Sequence, residues 1–208
     1  MPERWNRLAP VTGIVAVALI VVGPFILAGN TPGTDATGAT VIQFYKDHQH
    51  AQQTANLLGG LGVIFLIFFA GTLRAHLRDA GQEGLAAVSF GGAILMGVGG
   101  ATFSSLGFAL ADVPDKLDPS AAVALNLLSN DFFFPFTAGI SVFMLANAVA
   151  IIRGRSLPLW VGWVAVLIGV VAATPLGFFS FFGVLAWILL VAVLLYVRGG
   201  TRSVAPTT

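Results

Sequence analysis

The chain has 208 residues, of which 57% are hydrophobic and 9% are charged, and its formal net charge is +1. Because a soluble domain carries roughly 25% charged residues, this composition excludes an ordinary soluble fold and indicates a protein embedded in a bilayer. The small net charge argues against a nucleic-acid partner, and the absence of cysteine excludes a disulfide framework and thiol redox chemistry.

Six uncharged runs are long enough to cross a membrane, since a helical span needs about 20 apolar residues for roughly 30 Å of hydrocarbon. They lie at residues 8–29, 57–73, 85–111, 132–152, 159–176 and 178–197. The sequence therefore predicts an all-α fold, in which residues 1–208 form a single domain with six transmembrane helices and short interfacial helices outside the membrane.

The first run follows two arginines and has some features of a secretory signal. It is longer than a usual signal core, and the segment FILAGN, residues 25–30, lacks a small-x-small cleavage pattern. We therefore expect a membrane span at residues 8–29.

The first long connection, residues 30–56, contains the polar stretch FYKDHQH. Thr34 or Asp35 is a suitable N-cap for a helix that begins near Ala36. One face of that helix is polar, at helical spacing, and consists of Gln43, Asp47, His50 and Thr54. We predict a short interfacial helix that leads into the second span.

The same stretch suggests a metal site as an alternative. Residues two apart on a helix point about 200° away from each other, so His48 and His50 cannot easily share one ion. Asp47 and His50 could share one at i and i+3, but a closed site needs further ligands. The nearest candidates for those are Asp112, Asp115 and Asp131. A solvated helix that contacts lipid headgroups is the simpler interpretation.

The second long connection, residues 112–131, follows a similar plan. Asp118 before Pro119 is a strong helix start, with Asp as N-cap and Pro at the first helical position. The helix expected at residues 120–128 is too short to span and gives a second interfacial helix. Asn130 and Asp131 are expected to cap the fourth span, in which Pro135 is tolerated only in the first turn.

The last two spans must form a hairpin. As one helix, the uncharged run at residues 156–197 would be about 60 Å long, twice the hydrocarbon thickness. Pro175 and Gly177, within the sequence TPLG at residues 174–177, are placed to break it.

Basic residues mark one side of the predicted bundle. Its arginines are Arg4, Arg7, Arg74, Arg78, Arg153, Arg155, Arg198 and Arg202. The opposite side holds two lysines and most of the acids: Lys46, Lys116, Asp35, Asp47, Asp112, Asp115, Asp118 and Asp131. The arginine side is therefore expected to be cytoplasmic, with both termini inside. Amphipathic rings near that side support this orientation: Trp5, Trp160, Trp163 and Tyr196.

Signals for chemistry are absent from the spans. No span carries an ionisable residue at mid-depth, which weakens the case for a proton-coupled or ion-coupled carrier. The histidines His48, His50 and His76 lie outside the spans, so neither a Ser-His pair nor a bis-histidine haem site can form inside the bundle. Motifs for zinc hydrolysis, a nucleophile elbow or nucleotide binding are missing. We assign no catalytic residue, cofactor or metal ligand, and the sequence favours a protein that is not an enzyme.

Two polar residues remain candidates inside the membrane, Asn147 and Thr102. A mid-span Asn is commonly an interhelical hydrogen-bond clamp and less often part of a substrate path. Both interpretations stay open.

Small residues recur every four positions in two spans, which indicates close helix packing. In the third span they are Ser89, Ala93, Gly97, Ala101, Ser105 and Ala109, and in the fifth they are Ala165, Gly169, Ala173 and Gly177. Packing within the bundle is the preferred interpretation over contact with a partner.

Most of the 17 phenylalanines map to the side opposite the arginines. They are Phe25, Phe44, Phe103, Phe108, Phe132, Phe133, Phe134, Phe136, Phe178, Phe179, Phe181 and Phe182. An aromatic girdle and core explains them without a ligand, and the alternative is a pocket for a lipid tail, a quinone or another apolar molecule. In that case we expect Asp47, His48, His50 and Asp131 at the mouth of the pocket.

Several segments resemble a known group of proteins: FYKDH before the second span, NDFFFPF at the start of the fourth, and LPLWVGW ahead of the Pro-Gly hairpin. Together with the order of six spans, they resemble a broad group of small bacterial membrane proteins that is known only as a domain of unknown function. The resemblance covers nearly the whole chain. It implies the six-span fold and a bacterial inner-membrane location, and it implies no activity.

Three functional hypotheses follow. The first is a non-catalytic accessory or binding protein, whose partners are the lipid bilayer and another membrane protein or a second copy of this chain. The second is a small-molecule permease or efflux component with an uncharged path near Asn147 and Thr102. The third is an external metal or hydrolytic site around Asp47, His48 and His50. A water-accessible cavity that reaches mid-depth favours the permease, and a dry, tightly packed bundle favours the first hypothesis.

Overall fold

The computed structural model describes residues 8–131 and 133–201, and this part of the chain is helical without strands. The helices are α1 (Val11–Ile20, continued by a π-helical segment, Val21–Leu27), α2 (Gly38–Asp47), α3 (Gln49–Asp79), α4 (Glu83–Asp112), α5 (Pro119–Asp131), α6 (Phe134–Gly154), α7 (Leu159–Ala172) and α8 (Gly177–Thr201), with a 3₁₀ turn at Pro114–Lys116. The all-α prediction is confirmed. Five residues used in the predicted topology lie outside the described residues: Arg4, Trp5, Arg7, Phe132 and Arg202.

Six of these helices form a closed ring. In the order α1, α3, α4, α6, α7, α8, each packs against the next, and α8 packs back on α1. At one end of the ring α2 and α5 pack on each other and on α4. At the other end Arg198 donates to the carbonyl of Ser156 at 3.1 Å, and Gly154 lies beside Gln82. We call the first the capped end and the second the arginine end.

Length and composition support a membrane protein. Four segments are long and apolar enough to cross a bilayer: Gln49–Asp79, Glu83–Asp112, Pro119–Gly154 and Gly177–Arg198. The third of them includes α5 and α6. The remaining predicted spans, Val11–Leu27 and Leu159–Ala172, are apolar but shorter.

The predicted break in the last hairpin and the predicted start of α5 are found at the expected positions. At the last hairpin the Thr174 hydroxyl donates to the carbonyl of Val171 at 2.7 Å and accepts the N–H of Leu176 at 3.2 Å. At the start of α5 the N–H of Ser120 donates to the Asp118 carboxylate at 2.8 Å, as expected for an N-cap.

Other helix starts differ from the sequence prediction. The cap of α2 is Thr37, whose hydroxyl accepts the N–H of Thr40 at 3.3 Å, and so the helix begins after Thr34 and Asp35 rather than at them. Asn130 and Asp131 do not cap α6, because they belong to the last turn of α5. Pro135 stands in the first turn of α6, where its missing N–H costs no helical hydrogen bond.

α4 makes close backbone contacts with α6. Gly92 lies against the backbone of Phe143, and Gly139 lies against the backbone of Met96. A third contact is slightly looser, since a Cβ at Gly99 would stand 2.9 Å from the Cα of Phe136. Small residues thus allow the two helices to approach without side chains between them.

The predicted small-residue ridges are only partly the contact surfaces. Residues four apart advance about 40° beyond a full turn, so such a ridge winds around its helix. Ala93 and Gly97 of α4 are buried, Ala101 is half-buried, and Ser105 is exposed. On α7, Gly169 packs against Leu145, with 2.8 Å from the position of a Cβ to Leu145 Cγ. Ala173 lies just beyond α7 and is exposed.

α1 widens around Pro24. Because proline has no N–H, it cannot donate within the helix. The N–H of Ala28 donates to the carbonyl of Gly23, five residues earlier, at 3.1 Å, which is the π-helical pattern. A Cβ at Gly23 would stand 2.6 Å from the carbonyl of Ala55, so glycine is required for the approach of this segment to α3.

Large side chains fill the interior of the ring toward the arginine end. Phe69, Leu73 and Leu77 of α3 are 0% exposed and belong to the same cluster as Phe143 and Trp187. The rings of Phe143 and Trp187 meet edge to face at 5.9 Å. Trp187 also donates its indole N–H to a backbone carbonyl of α7 at 3.0 Å, so that its only polar group is satisfied.

The neighbouring residues Gly91 and Gly92 test the contact between α4 and α6. Replacing glycine by alanine within a helix generally stabilises the helix by roughly 1 kcal/mol. At Gly92, however, the added Cβ would meet the Phe143 backbone, and such overpacking destabilises the fold by about 1–3 kcal/mol. We expect Gly92→Ala to lower the melting temperature in detergent, as measured by circular dichroism. Gly91→Ala is the control, because an added Cβ there meets nothing within 4 Å. Equal melting temperatures for the two variants would contradict the contact.

Candidate functional site

A small apolar cluster holds α2 and α5 on the capped end. Its buried members are Val41, Tyr45, Leu110, Ala111 and Ala122. The backbones of α2 and α5 also touch, at Gly38 and Pro119. An ion pair between Lys46 and Asp115 joins α2 to the 3₁₀ turn. The capped end is therefore a packed layer rather than a pair of loose loops.

Amide side chains fasten the connections of this layer. Each donates to a backbone carbonyl distant in sequence, at 2.7–3.3 Å: Gln49 to Asp112, Gln52 to Ala28, Gln53 to Ala111, Asn126 to Gly33 and Asn130 to Pro32. These bonds satisfy carbonyls at helix ends and in the first connection, which would otherwise have to find water.

The four residues of the predicted external polar cluster do not converge on one point. Asp47 is exposed and accepts a hydrogen bond from Gln43 at 2.8 Å. His48 ends α2, with its Nδ1 2.9 Å from the carbonyl of Phe44 and its ring stacked on the Phe44 ring at 4.6 Å. His50 and Asp131 are exposed. Within residues 8–131 and 133–201, no group of three His, Asp or Glu side chains is arranged to hold a metal ion.

A cavity of about 500 Å³ lies inside the ring beneath the capped end. Along α3 its lining runs from Gln52 to Leu66, which corresponds to about 21 Å of helix. Much of the wall near α4 is made of glycine, namely Gly59, Gly99, Gly100 and Gly107. The cavity therefore forms because these glycines place no side chains in the space between closely packed helices.

The cavity closes toward the arginine end. Its deepest lining residues on α3 and α8 are Leu66 and Ile188. One turn further along α3, Phe69 is 0% exposed, and Trp187 beside Ile188 is 1% exposed. The cavity therefore reaches the middle of the bundle and ends there.

Aromatic rings form one side of the cavity. Phe25 of the π segment stacks on Phe181 of α8 with ring centroids 5.2 Å apart, and Phe181 also meets Phe136 of α6 at 5.4 Å. All three line the cavity, together with Phe103, Phe133 and Phe178. Other phenylalanines point outward, including Phe134 and Phe179. The phenylalanine layer is therefore divided between the cavity wall and the outer surface of the bundle.

Polar groups line the cavity only near the capped end. They belong to Asn30, Thr31, Tyr45, Gln52, Asn56, Ser104, Ser129, Asn130 and Thr137. Asp47, His48, His50 and Asp131 are not among the lining residues, and no Asp, Glu, Lys, Arg or His of residues 8–131 and 133–201 is among them either. The cavity is amphipathic, with a neutral polar end and an apolar deep end.

Asn56 of α3 and Ser104 of α4 each pack on a glycine of the facing helix. Asn56 donates its amide to the carbonyl of Gln52 at 2.8 Å and lies flat on Gly107, where a Cβ would stand 2.5 Å from its Oδ1. The hydroxyl of Ser104 occupies the corresponding place on Gly59, with 2.8 Å to the position of a Cβ. Each polar side chain thus fits because the opposing residue is glycine.

The candidate intramembrane residues lie elsewhere. Asn147 is 0% exposed in the packed core and donates to the carbonyl of Phe143 in its own helix at 2.7 Å. Thr102 donates to the carbonyl of Val98 at 2.9 Å and is half-buried. Neither residue lines the cavity.

Sequence reasoning missed the polar residues of the cavity. Tyr45 packs in the small apolar cluster of the capped end at 3% exposure, and nothing in its sequence context marks it as polar lining. Gln52 and Asn56 carry no motif, and Ser104 fell between two positions of the predicted ridge. The signal that could have identified them is that Asn56 and Ser104 each face a glycine in the neighbouring helix. Recognising it requires knowledge of how α3 and α4 are aligned.

No protein-family model matches the chain, and neither a curated protein nor a solved structure is significantly similar to it.

Burial raises the pKa of the Tyr45 phenol from 10.0 to about 12. A group with a raised folded-state pKa stabilises the fold below its unfolded pKa, and that stabilisation is lost as the pH rises through the folded value. We expect about 2 kcal/mol of stability to be lost between pH 10 and pH 12, and this loss to be absent in Tyr45→Phe. Chemical unfolding at both pH values measures the loss of stability in each protein. The ionisation of Lys and Arg contributes equally to the wild type and to Tyr45→Phe, so it cancels when the two losses are compared. The same pH dependence in both proteins would contradict the burial of this phenol.

Proposed function

We propose that this protein is a non-catalytic membrane protein that binds a lipid-class molecule in the cavity beneath the capped end. The observation that carries the proposal is the amphipathic cavity of about 500 Å³, which ends blindly at mid-bundle. Ligand pockets typically measure about 300–1,000 Å³ and are mostly apolar with a few placed polar groups. An elongated amphiphile fits with its head at the capped end and its tail toward Leu66 and Ile188.

We propose six membrane crossings, as the uncharged runs predict. The course of the shorter helix α7 supports this number. α7 starts after Gly154, at the arginine end of α6, and the chain arrives at Gly177, where a Cβ would stand 3.2 Å from Thr137 in the first turn of α6. Between these two points the chain passes along the whole length of α6.

The course of α1 supports a crossing in the same way. Gly13 lies against Phe69 of α3, and ten residues later Gly23 lies against Ala55 near the other end of that helix. α1 therefore runs antiparallel to α3 over several turns. With six crossings both termini lie on one side, and the arginines at that end favour the cytoplasm. A bacterial inner membrane remains our proposal, supported by the resemblance noted above.

The permease is the second candidate, because the cavity reaches mid-depth as that hypothesis requires. The packing beyond the cavity favours binding instead, since Phe69, Leu73 and Leu77 continue along α3 at 0% exposure. The external metal hypothesis has less support, because its proposed ligands Asp47, His48 and His50 are directed to separate contacts or to solvent.

A pair of Gly→Leu substitutions tests the binding proposal. Gly100 lines the cavity, so Gly100→Leu places four carbons in or beside it. Gly60 is the matched control, because a Cβ there meets nothing within 4 Å. We expect native mass spectrometry of gently extracted protein to find a bound lipid-class molecule in the wild type and in Gly60→Leu. Its occupancy should fall at least severalfold in Gly100→Leu.

Two outcomes would contradict this function. One is a wild-type protein that carries no small molecule after extraction and takes up no lipid probe from mixed micelles. The other is equal occupancy in Gly100→Leu and Gly60→Leu, which would place the ligand outside the cavity. Transport of a polar solute by the protein in sealed liposomes would instead favour the permease.

A further inference from the structure

The geometry points to an uncharged lipid with a hydroxyl head as the ligand of the cavity, held by the side chains of Tyr45, Asn56 and Ser104. This inference rests on the proposed function, and it specifies the chemistry of the ligand's polar end.

The three side chains lie along one face of α4 near the capped end. Ser104 belongs to that face, Asn56 lies on Gly107, and Tyr45 packs in the cluster that contains Ala111. Positions 104, 107 and 111 are related as i, i+3 and i+7, so they share a face of the helix and span about 10 Å. Because positions 104 and 107 are about 4.5 Å apart along the helix axis, one hydroxyl head can reach both Asn56 and Ser104.

Each of the three groups has hydrogen-bonding capacity that the described protein does not use. The neighbouring hydroxyls Thr102 and Ser105 donate to carbonyls of their own helix at 2.9 and 2.8 Å. In the described part of the chain, the Ser104 hydroxyl and the Tyr45 phenol have no hydrogen-bond partner, and neither does Asn56 Oδ1. All three residues line the cavity while being 3–8% exposed. Their polar atoms are not among the fully buried side-chain atoms of the described residues that lack a partner, so they reach the cavity space, where a ligand can supply their hydrogen bonds.

The types of these groups select a hydroxyl head. Asn56 Oδ1 accepts a hydrogen bond and needs a donor, whereas the phenol of Tyr45 and the hydroxyl of Ser104 both donate and accept. A hydroxyl can donate to the amide oxygen and accept from a protein hydroxyl at the same time. A ketone, ether or ester head lacks the donor, and a hydrocarbon lacks both.

The lining also selects against charge. In the part of the chain that the structure describes, the cavity is lined by no Asp, Glu, Lys, Arg or His. An ionised phosphate, carboxylate or ammonium head would lose water without gaining a counter-charge, which is strongly unfavourable in an apolar site. Ordinary charged phospholipids are therefore poor occupants of the inner polar end.

Competitive binding with matched probes tests this inference on the full-length protein in detergent. The probes are 1-hexadecanol, its methyl ether and hexadecyl sulfate, which share one chain and differ in the head. We expect the alcohol to bind about tenfold more tightly than the ether, the difference of about one to two hydrogen bonds. Hexadecyl sulfate should bind no better than the ether. The chain type is read separately by comparing 1-hexadecanol with an isoprenoid alcohol and with a diacylglycerol.

Variants then assign the head contacts. Asn56→Ala removes the amide oxygen to which only the alcohol can donate, and we expect it to reduce the alcohol-to-ether preference to about threefold or less. Ser104→Ala and Tyr45→Phe each remove a hydroxyl that can donate to the oxygen of either head, and we expect each to weaken the binding of both probes. Ser105→Ala is the matched control, because this neighbouring hydroxyl is exposed and bonded to its own helix. Melting temperatures confirm that each variant is folded.

The possible outcomes distinguish a failure of this inference from a failure of the proposed lipid-binding function. Equal binding of alcohol and ether would overturn the hydroxyl assignment while leaving a lipid-binding cavity intact. Tighter binding of hexadecyl sulfate would overturn the neutral-head assignment. A preference that survives Asn56→Ala would place the head elsewhere, and failure of all the probes to bind would contradict the proposed function itself.

Discussion

The close approach of α4 to its neighbours determines both where the bundle is dense and where it is open. Gly92 and Gly139 let the backbones of α4 and α6 touch, and this contact positions Phe143 beside Trp187 in the filled half of the ring. Toward the capped end the same absence of side chains has a second effect. Gly99 and Gly100 line the interior of the ring but have no side chains to fill it, so that a cavity remains. Small residues therefore allow tight packing between helices and leave space inside the ring they form.

Hydrogen bonds to backbone carbonyls hold the segments of the capped end together. Backbone carbonyls at helix ends must be paired when they lie in or near an apolar layer. Here amide side chains such as Gln52 and Asn126 supply the donors, and each joins two distant segments. The buried Asn126 Oδ1 and Asn147 Oδ1 also lack a partner among the described residues, but they lie away from the cavity, whereas Ser104 and Tyr45 line it. The protein satisfies many of its polar groups locally, so those that face the cavity indicate what the cavity is suited to hold.

The sequence predicted most of the helices because long uncharged runs and Pro or Gly breaks are strong local signals. The turn at Thr174 and the cap at Asp118 follow from residues adjacent in the chain, and both were placed well. The cavity could not be predicted in the same way. The cavity depends on Asn56 of α3 facing Gly107 of α4. The sequence pattern of either helix alone does not predict this pairing. The expected mouth residues are not among the described lining residues: Asp47 and His48 are exposed at the end of α2, Asp131 is exposed at the end of α5, and the break at His48 separates His50 from the face of α2.

The blind end of the cavity distinguishes binding from passage. A continuous water path would have to open the contacts of Phe69, Leu73, Leu77 and Trp187, which are 0–1% exposed. Exposing such side chains to water costs about 1.5–3 kcal/mol each. The indole N–H of Trp187 would also lose its bond to Val161 if α7 and α8 separated. Occupation of the existing cavity requires none of these changes. A ligand with a neutral head can gain hydrogen bonds at Ser104 while the packed half stays closed, and so the structure favours a molecule that enters and leaves on the capped side of that packed half.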